Sequence, residues 1–236
     1  MKNYSLFIVF TLLLLAACKP DEEAITADTG FNYVRTTPGD YVIYEVDSIV
    51  YDDFNGDTTH YRYQLKEVIE SVFSDNEGRP AQRIERYVKR YNDTIPYSNL
   101  PWTLARVWSA QRTATTYERV EENVRYLRLS LPLRADKRWN GNTFNTLGEW
   151  QYKCTSADVP YSINNLNFDS TAFIVQKADT NRLYYKLYTE RYARNTGLIE
   201  KQVVDVFDTA LAPTSVLSRI AGGLVYKARV VEWGHQ

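Results

Sequence analysis

Cysteine, histidine and methionine are nearly missing from this chain: two, two and one in 236 residues. Once the first twenty residues are set aside, Cys154 is the only thiol left. One cysteine closes no internal disulfide and builds no thiolate zinc cluster. It stands in the strand-like "GEWQYKCTSA" and reads as a small buried apolar residue. His60 and His235 sit in no recognisable motif, and the chain has no Gly-rich phosphate loop, no paired histidines at metal spacing and no serine in a glycine-flanked elbow. No catalytic residue and no cofactor is therefore assigned. Charge of one sign is also lacking, with 28 basic against 29 acidic residues. Without a basic excess there is no electrostatic footprint for nucleic acid. After Leu15 no apolar run approaches the roughly twenty residues that a membrane-crossing helix needs.

What is present at the start is Lys2, an apolar stretch from Leu6 to Leu15, and then "LAACKPDEE" from residue 15 to 23. About ten apolar residues behind a positive charge, ending in small residues, describe a secretory signal peptide. Leu15-Ala16-Ala17-Cys18 resembles the lipobox of bacterial lipoproteins. The resemblance implies cleavage before Cys18 and acylation of its sulfur. Two or three acyl chains, at about 0.8 kcal/mol per buried CH₂, hold a protein at a bilayer where a single chain lets it exchange. Losing Lys2 moves the formal charge from −1 to −2. Lys19 is not the aspartate associated with inner-membrane retention, and Asp21-Glu22-Glu23 resembles the surface-export signal of Bacteroidota lipoproteins. The expected address is the outer membrane, lipid-anchored, with the cell surface and the periplasm both open as the facing side.

The expected organisation is a lipoprotein signal peptide over 1–17, an acylated Cys18 with a flexible acidic tether over 18–32, and a single β domain over 33–236. About 219 mature residues suffice for one core. Period-two alternation runs through "YQLKEVIESVF", "RIERYVKRY", "STAFIVQK", "LIEKQVVDVF" and "LVYKARVVEW". In "VRYLRLSLPLR" the leucines 127, 129, 131 and 133 share one side while Tyr126, Arg128, Ser130 and Arg134 share the other, which predicts a half-buried strand. Asn-Gly pairs at 55–56 and 140–141 predict tight hairpins through positive φ. About ten strands with short connections predict an all-β antiparallel meander forming a closed or partly open, lipocalin-like β-barrel, with a two-sheet β-sandwich as the alternative. Residues 212–223 predict one or two helical turns, or an irregular loop, across a barrel end.

Nineteen tyrosines and five tryptophans are the most unusual feature. Exposed, they make a platform for a sugar or another flat ligand, and Trp102, Trp108, Trp139 and Trp150 are the residues to inspect; otherwise they are strand residues with arginine stems packed over their rings. The loop carrying Asp52, Asp53, Asn55 and Asp57 offers hard oxygens of the kind calcium takes, but turn chemistry explains it as well, and no metal ligand is assigned. Seven of fifteen aspartates after residue 17 precede Ser or Thr. Asp47-Ser48-Ile49, Asp93-Thr94-Ile95 and Asp208-Thr209-Ala210 resemble the O-glycosylation acceptor of Bacteroidota.

"KRWNGNTFNTLGEWQY" and "YTERYARNTGLIEKQVV", with Tyr192-Ala193 before a Gly197-Leu198 hairpin, resemble uncharacterised lipoproteins of the Bacteroidota. The resemblance implies an address and an all-β fold, and no activity. The expectation is a membrane-anchored envelope lipoprotein whose β domain binds a ligand or partner without catalysis. The alternatives are a structural subunit of an outer-membrane assembly and an unrecognised glycan or peptide hydrolase. Expected partners are membrane lipid through acylated Cys18, and a glycan, a small apolar ligand or an envelope protein.

Overall fold

The computed structural model describes residues 28–236. Twelve antiparallel strands form one sheet: β1 Asp40–Tyr51, β2 Thr58–Ser74, β3 Pro80–Arg90, β4 Thr103–Arg112, β5 Thr116–Glu121, β6 Val124–Ser130, β7 Arg138–Asn140, β8 Gln151–Ile163, β9 Leu166–Thr180, β10 Tyr184–Ala193, β11 Gly197–Phe207 and β12 Gly222–His235. The spatial order is β6-β5-β4-β3-β2-β1-β12-β11-β10-β9-β8-β7. Each strand pairs with its neighbour in sequence except β6 with β7, and one further ladder closes the chain on itself. β1 pairs with β12 over its whole length, Asp40 opposite His235 and Tyr51 opposite Gly223. β6 and β7 share no ladder and leave one unsealed seam. The result is a nearly closed meander barrel, which hides sheet edges as closure requires, and the sandwich alternative falls away.

Three bonds stitch the seam. Leu127 N–H donates to the Gly141 carbonyl at 2.9 Å, Trp139 Nε1 to the Leu127 carbonyl at 3.1 Å, and Asn145 Nδ2 to the Arg125 carbonyl at 2.8 Å. Gly141 is needed here for space and not for its φ. It does not take a positive φ, contrary to the expectation for the Asn140-Gly141 pair, and a Cβ at this position would stand 2.3 Å from Tyr152 Cζ. Gly56 does take one, at 75°. The two-residue hairpins with paired positive φ are Glu122-Asn123 and Asn164-Asn165, which carry no glycine. Three of these four positions are asparagine, which tolerates the left-handed region well enough to replace glycine there.

β6 also departs from the half-buried expectation. It ends at Ser130, and Arg128 on the supposedly wet side is as buried as the leucines beside it. Residues 28–32, expected in the tether, lie against the barrel. Phe31 packs under Arg112, Gly30 packs against Leu131, Pro132 and Leu133, and the fully buried Tyr33 follows in a 3₁₀ turn over Phe31–Tyr33. Between β11 and β12 the predicted helical segment is a single 3₁₀ turn, Val216–Ser218, capped by Ser215 Oγ and pinned by Val216 against Val204 and Val206.

Because directly opposed residues share a face, register shows which side chains enter the lumen. Cys154, Ile174, Glu190, Lys201, Ala228, Val46 and Tyr63 form one row from β8 around to β2. That row is inward, since Cys154 and Ile174 are fully buried. It places an acid and a lysine inside.

Candidate functional site

Two apolar clusters occupy much of the molecule. One gathers Tyr33, Leu129, Tyr152, Cys154, Ile174 and Tyr192, and the other Val42, Tyr44, Leu65, Ile199, Ala228 and Val230. Running through the same interior is a chain of charge. Arg86 Nε donates to Glu67 Oε1 at 2.9 Å, and Arg119 Nη2 reaches the same carboxylate at 3.0 Å. Arg128 Nη2 donates to Glu121 at 2.6 Å and its Nη1 lies 3.7 Å from Glu190. Lys201 Nζ is 3.0 Å from Glu190, and Tyr192 donates its hydroxyl to Glu190 at 2.7 Å. These contacts link β2 to β5 and β6 to β10, strands that are not neighbours, so they cross the lumen.

Burial alone would raise the pKa of each of these carboxyls, and the adjacent cations outweigh it. Arg119 and Arg86 hold Glu67 below the ordinary carboxylate range, Arg128, Lys201 and Arg119 do so for Glu121, and Lys201 and Arg128 for Glu190. Tyr117, at the same depth, is pushed up to about 12 by burial. The acids are therefore ionised and the phenol is protonated at neutral pH.

The space left over is small. Beneath the N-terminal segment a cavity of about 50 Å³ is lined by Val34, Arg35, Tyr44, Glu67, Tyr117 and Arg119, among others. Small-molecule pockets run to roughly 300–1,000 Å³. Larger hollows of about 330–460 Å³ lie elsewhere, one beside Trp102, one beside Trp108 and one lined in part by Val46 and Tyr63 of the inward row.

The four tryptophans do not form one platform. Trp139 is buried, donates to the Leu127 carbonyl and meets Tyr152 edge-on at 6.0 Å. Trp108 and Trp150 pack against that same apolar cluster, Trp108 beneath Arg86 at 3.6 Å and Trp150 edge-on to Tyr188 at 5.0 Å. Trp102 lies apart under Lys89, about 20 Å along the chain from Trp108 at roughly 3.3 Å per residue. Three of the four thus serve the core. Cys18 lies outside the described residues.

His60 and His235 lie at opposite ends of the barrel. His60 pairs with Asp47 at 3.0 Å and His235 with Asp40 at 3.1 Å, and no hydroxyl or thiol joins either pair among the described residues. In the acidic loop, Asp52 Oδ1 accepts from Phe54 N–H and Asn55 Oδ1 from Asp57 N–H, both local turn bonds. No group of three or more His, Cys, Asp or Glu poised to hold a metal occurs among the described residues. Of the candidate glycosylation hydroxyls, Ser48 is buried within β1 while Thr94 and Thr209 are exposed on loops.

The interior charges escape a sequence reading because alternation distinguishes two faces without saying which is dry. A signal was present: Glu190 stands between Tyr188 and Tyr192 on one parity, and Arg128 interrupts four leucines.

A second regularity is topological. The loops β1–β2, β3–β4, β5–β6, β7–β8, β9–β10 and β11–β12 share one end, and the N-terminal segment closes the other. Exposed large apolar residues collect at the loop end: Phe54, at 98% exposure, with Leu211, Leu217, Leu183, Phe144 and Leu147. At the opposite end or along the wall stand Val72, Phe73, Val107 and Val159.

No family model matches this chain, and no curated protein matches it. Among solved structures, it is similar to one described as a "putative lipoprotein from Parabacteroides distasonis ATCC 8503", at 10% identity and a TM-score of 0.33, over 86% of this chain and 98% of that one. A likeness that distant carries no argument about either protein's activity.

Proposed function

We propose that this chain is a lipid-anchored envelope protein whose β domain works without catalysis, by docking a partner on its loop-bearing end. The observation that carries the docking reading is the filled lumen beside an apolar rim. The cavity beneath the N-terminal segment, at about 50 Å³, has no room for a lipocalin-type cargo. Recognition then falls to the surface, where grouped exposed apolar residues mark interaction sites. The anchor reading rests on the lipobox-like Leu15-Ala16-Ala17-Cys18. From Cys18 to Asp28 the chain spans ten residues, at most about 35 Å when extended. It joins the barrel at the end away from the rim, so an acyl group at Cys18 leaves the apolar loops facing away from the bilayer.

Two measurements test this. Mass spectrometry of the mature N-terminus, with membrane fractionation of wild type and Cys18→Ser, should find an acylated cysteine and release of the variant alone; an unacylated terminus refutes the anchor. A photo-crosslinking residue placed at Phe54 or Leu217 should trap a discrete envelope partner in living cells, and one at Val159 should not. Equal trapping at all three positions, or none at the rim, refutes the docking face.

A further inference from the structure

We propose that the partner docked on the loop-bearing end is a different protein whose contact surface is basic around an apolar centre, which rests on the docking reading and gives it a chemistry. Charge is divided unevenly between the two ends of the barrel. The loops of the apolar end carry seven acids against two bases. Asp52, Asp53 and Asp57 stand in the β1–β2 loop, one acid stands in each of the β3–β4, β5–β6, β7–β8 and β11–β12 loops, and Arg182 and Arg219 oppose them. The loops of the other end, together with residues 28–39, carry four acids and five bases. The formal balance of the whole chain, −1, hides this polarity.

The apolar and acidic features share one continuous patch. A Cβ added at Gly222, where β12 begins, would stand 2.8 Å from Asp53 Cβ, so the β1–β2 loop lies against the end of the β11–β12 loop. The β9–β10 loop joins them: Asp208 N–H donates to the Leu183 carbonyl at 2.8 Å, and Arg219 Nη2 to the Arg182 carbonyl at 2.5 Å. Phe54, Leu183, Leu211 and Leu217 are exposed on these three loops. Asp52, Asp53 and Asp57 are exposed around Phe54 and form no salt bridge among the described residues, whereas Arg219 is spent on Asp208. Like charges set against each other across an interface are repelled, and opposite ones speed encounter and fix the choice of partner. Anionic lipid headgroups and nucleic acid would meet the acids with like charge. A second copy docked rim to rim would set seven acids against seven, and its other end, with four acids and five bases, offers no compensating charge. What fits is a different protein that carries lysine or arginine around apolar side chains.

The test uses the full chain in nonionic detergent, with detergent alone as the blank. The probe is a short fluorescein-labelled peptide in which lysines flank leucines, and its control has glutamate for lysine. Anisotropy should show the lysine peptide bound, with Kd raised at least about tenfold as salt goes from about 0.01 to about 0.1 M and the Debye length falls from about 30 to about 10 Å. The combined variant Asp52→Asn, Asp53→Asn, Asp57→Asn keeps the turn bond that Asp52 Oδ1 accepts from Phe54 N–H, because an asparagine oxygen accepts it as well. It should melt with the wild type and bind the peptide at least tenfold more weakly. Phe54→Ser with Leu211→Ser should also weaken the peptide, and leave its salt dependence in place. Equal binding of the two peptides, or equal binding of the lysine peptide to wild type and the asparagine variant, overturns the proposal. Photo-crosslinking in cells from a reactive residue at Phe54 separates it from the docking reading. No trapped species in an otherwise wild-type chain overturns both; a trapped species whose yield is unchanged by Asp52→Asn, Asp53→Asn and Asp57→Asn overturns the basic partner alone.

Discussion

Gly141 is where the seam is most exposed to a single methyl group. Gly141→Ala would place a Cβ 2.3 Å from Tyr152 Cζ and within 2.6 Å of two more ring atoms, over 1 Å short of ordinary contact. The ring cannot swing aside. Tyr152 is fully buried, stands edge-on to Trp139, and its hydroxyl accepts from Arg128 Nη1 at 3.4 Å. The backbone is held as firmly, because Gly141 N–H donates to the Trp150 carbonyl at 2.8 Å and its own carbonyl receives Leu127 N–H. Overpacking at such a site costs about 1–3 kcal/mol. In a domain of this size that is a loss of roughly 3–10 °C in Tm. Gly148→Ala, in the same loop with nothing within 4 Å, is the internal control and should melt with the wild type. Scanning calorimetry of the three proteins decides it. Equal midpoints for Gly141→Ala and wild type would refute the account of the seam as a close-packed join.

Three further outcomes follow from the interior. Arg128→Met should destabilise by about 3–5 kcal/mol in denaturant titration, since it breaks a buried ion pair and leaves Glu121 with Arg119, at 3.5 Å, in place of its 2.6 Å partner. Glu67, Glu121 and Glu190 are all depressed in the folded state, so their contribution is whole above the unfolded value near 4.5 and disappears as pH falls through the folded ones. The guanidinium midpoint should hold steady from pH 7 to 5 and decline below about 4.5; a decline between 7 and 5 would count against the network. Cys154, fully buried and with its thiol pushed up to about 11, should resist iodoacetamide at pH 7.5 in the native protein and react promptly in urea, as mass spectrometry can follow.

Alternation, turn residues and the scarcity of helix signals were enough to determine an antiparallel meander, since a period of two and short connections allow little else. The buried leucines 127, 129, 131 and 133 and the buried Cys154 were legible in the same way. Four things needed the tertiary structure. The β1–β12 ladder and the open β6–β7 seam depend on how far the sheet coils before its ends meet, and no local pattern encodes that. Gly141 looked like a hairpin residue until the Tyr152 ring was seen against it. Whether the tryptophans form a platform or pack as ordinary strand residues was open until three of them were found against the core. Arg128 looked solvated because it shares a side with Tyr126, Ser130 and Arg134 in a strand read as half-buried. Only closure turned that face inward, where Glu67, Glu121 and Glu190 have Arg86, Arg119, Arg128 and Lys201 in place of water.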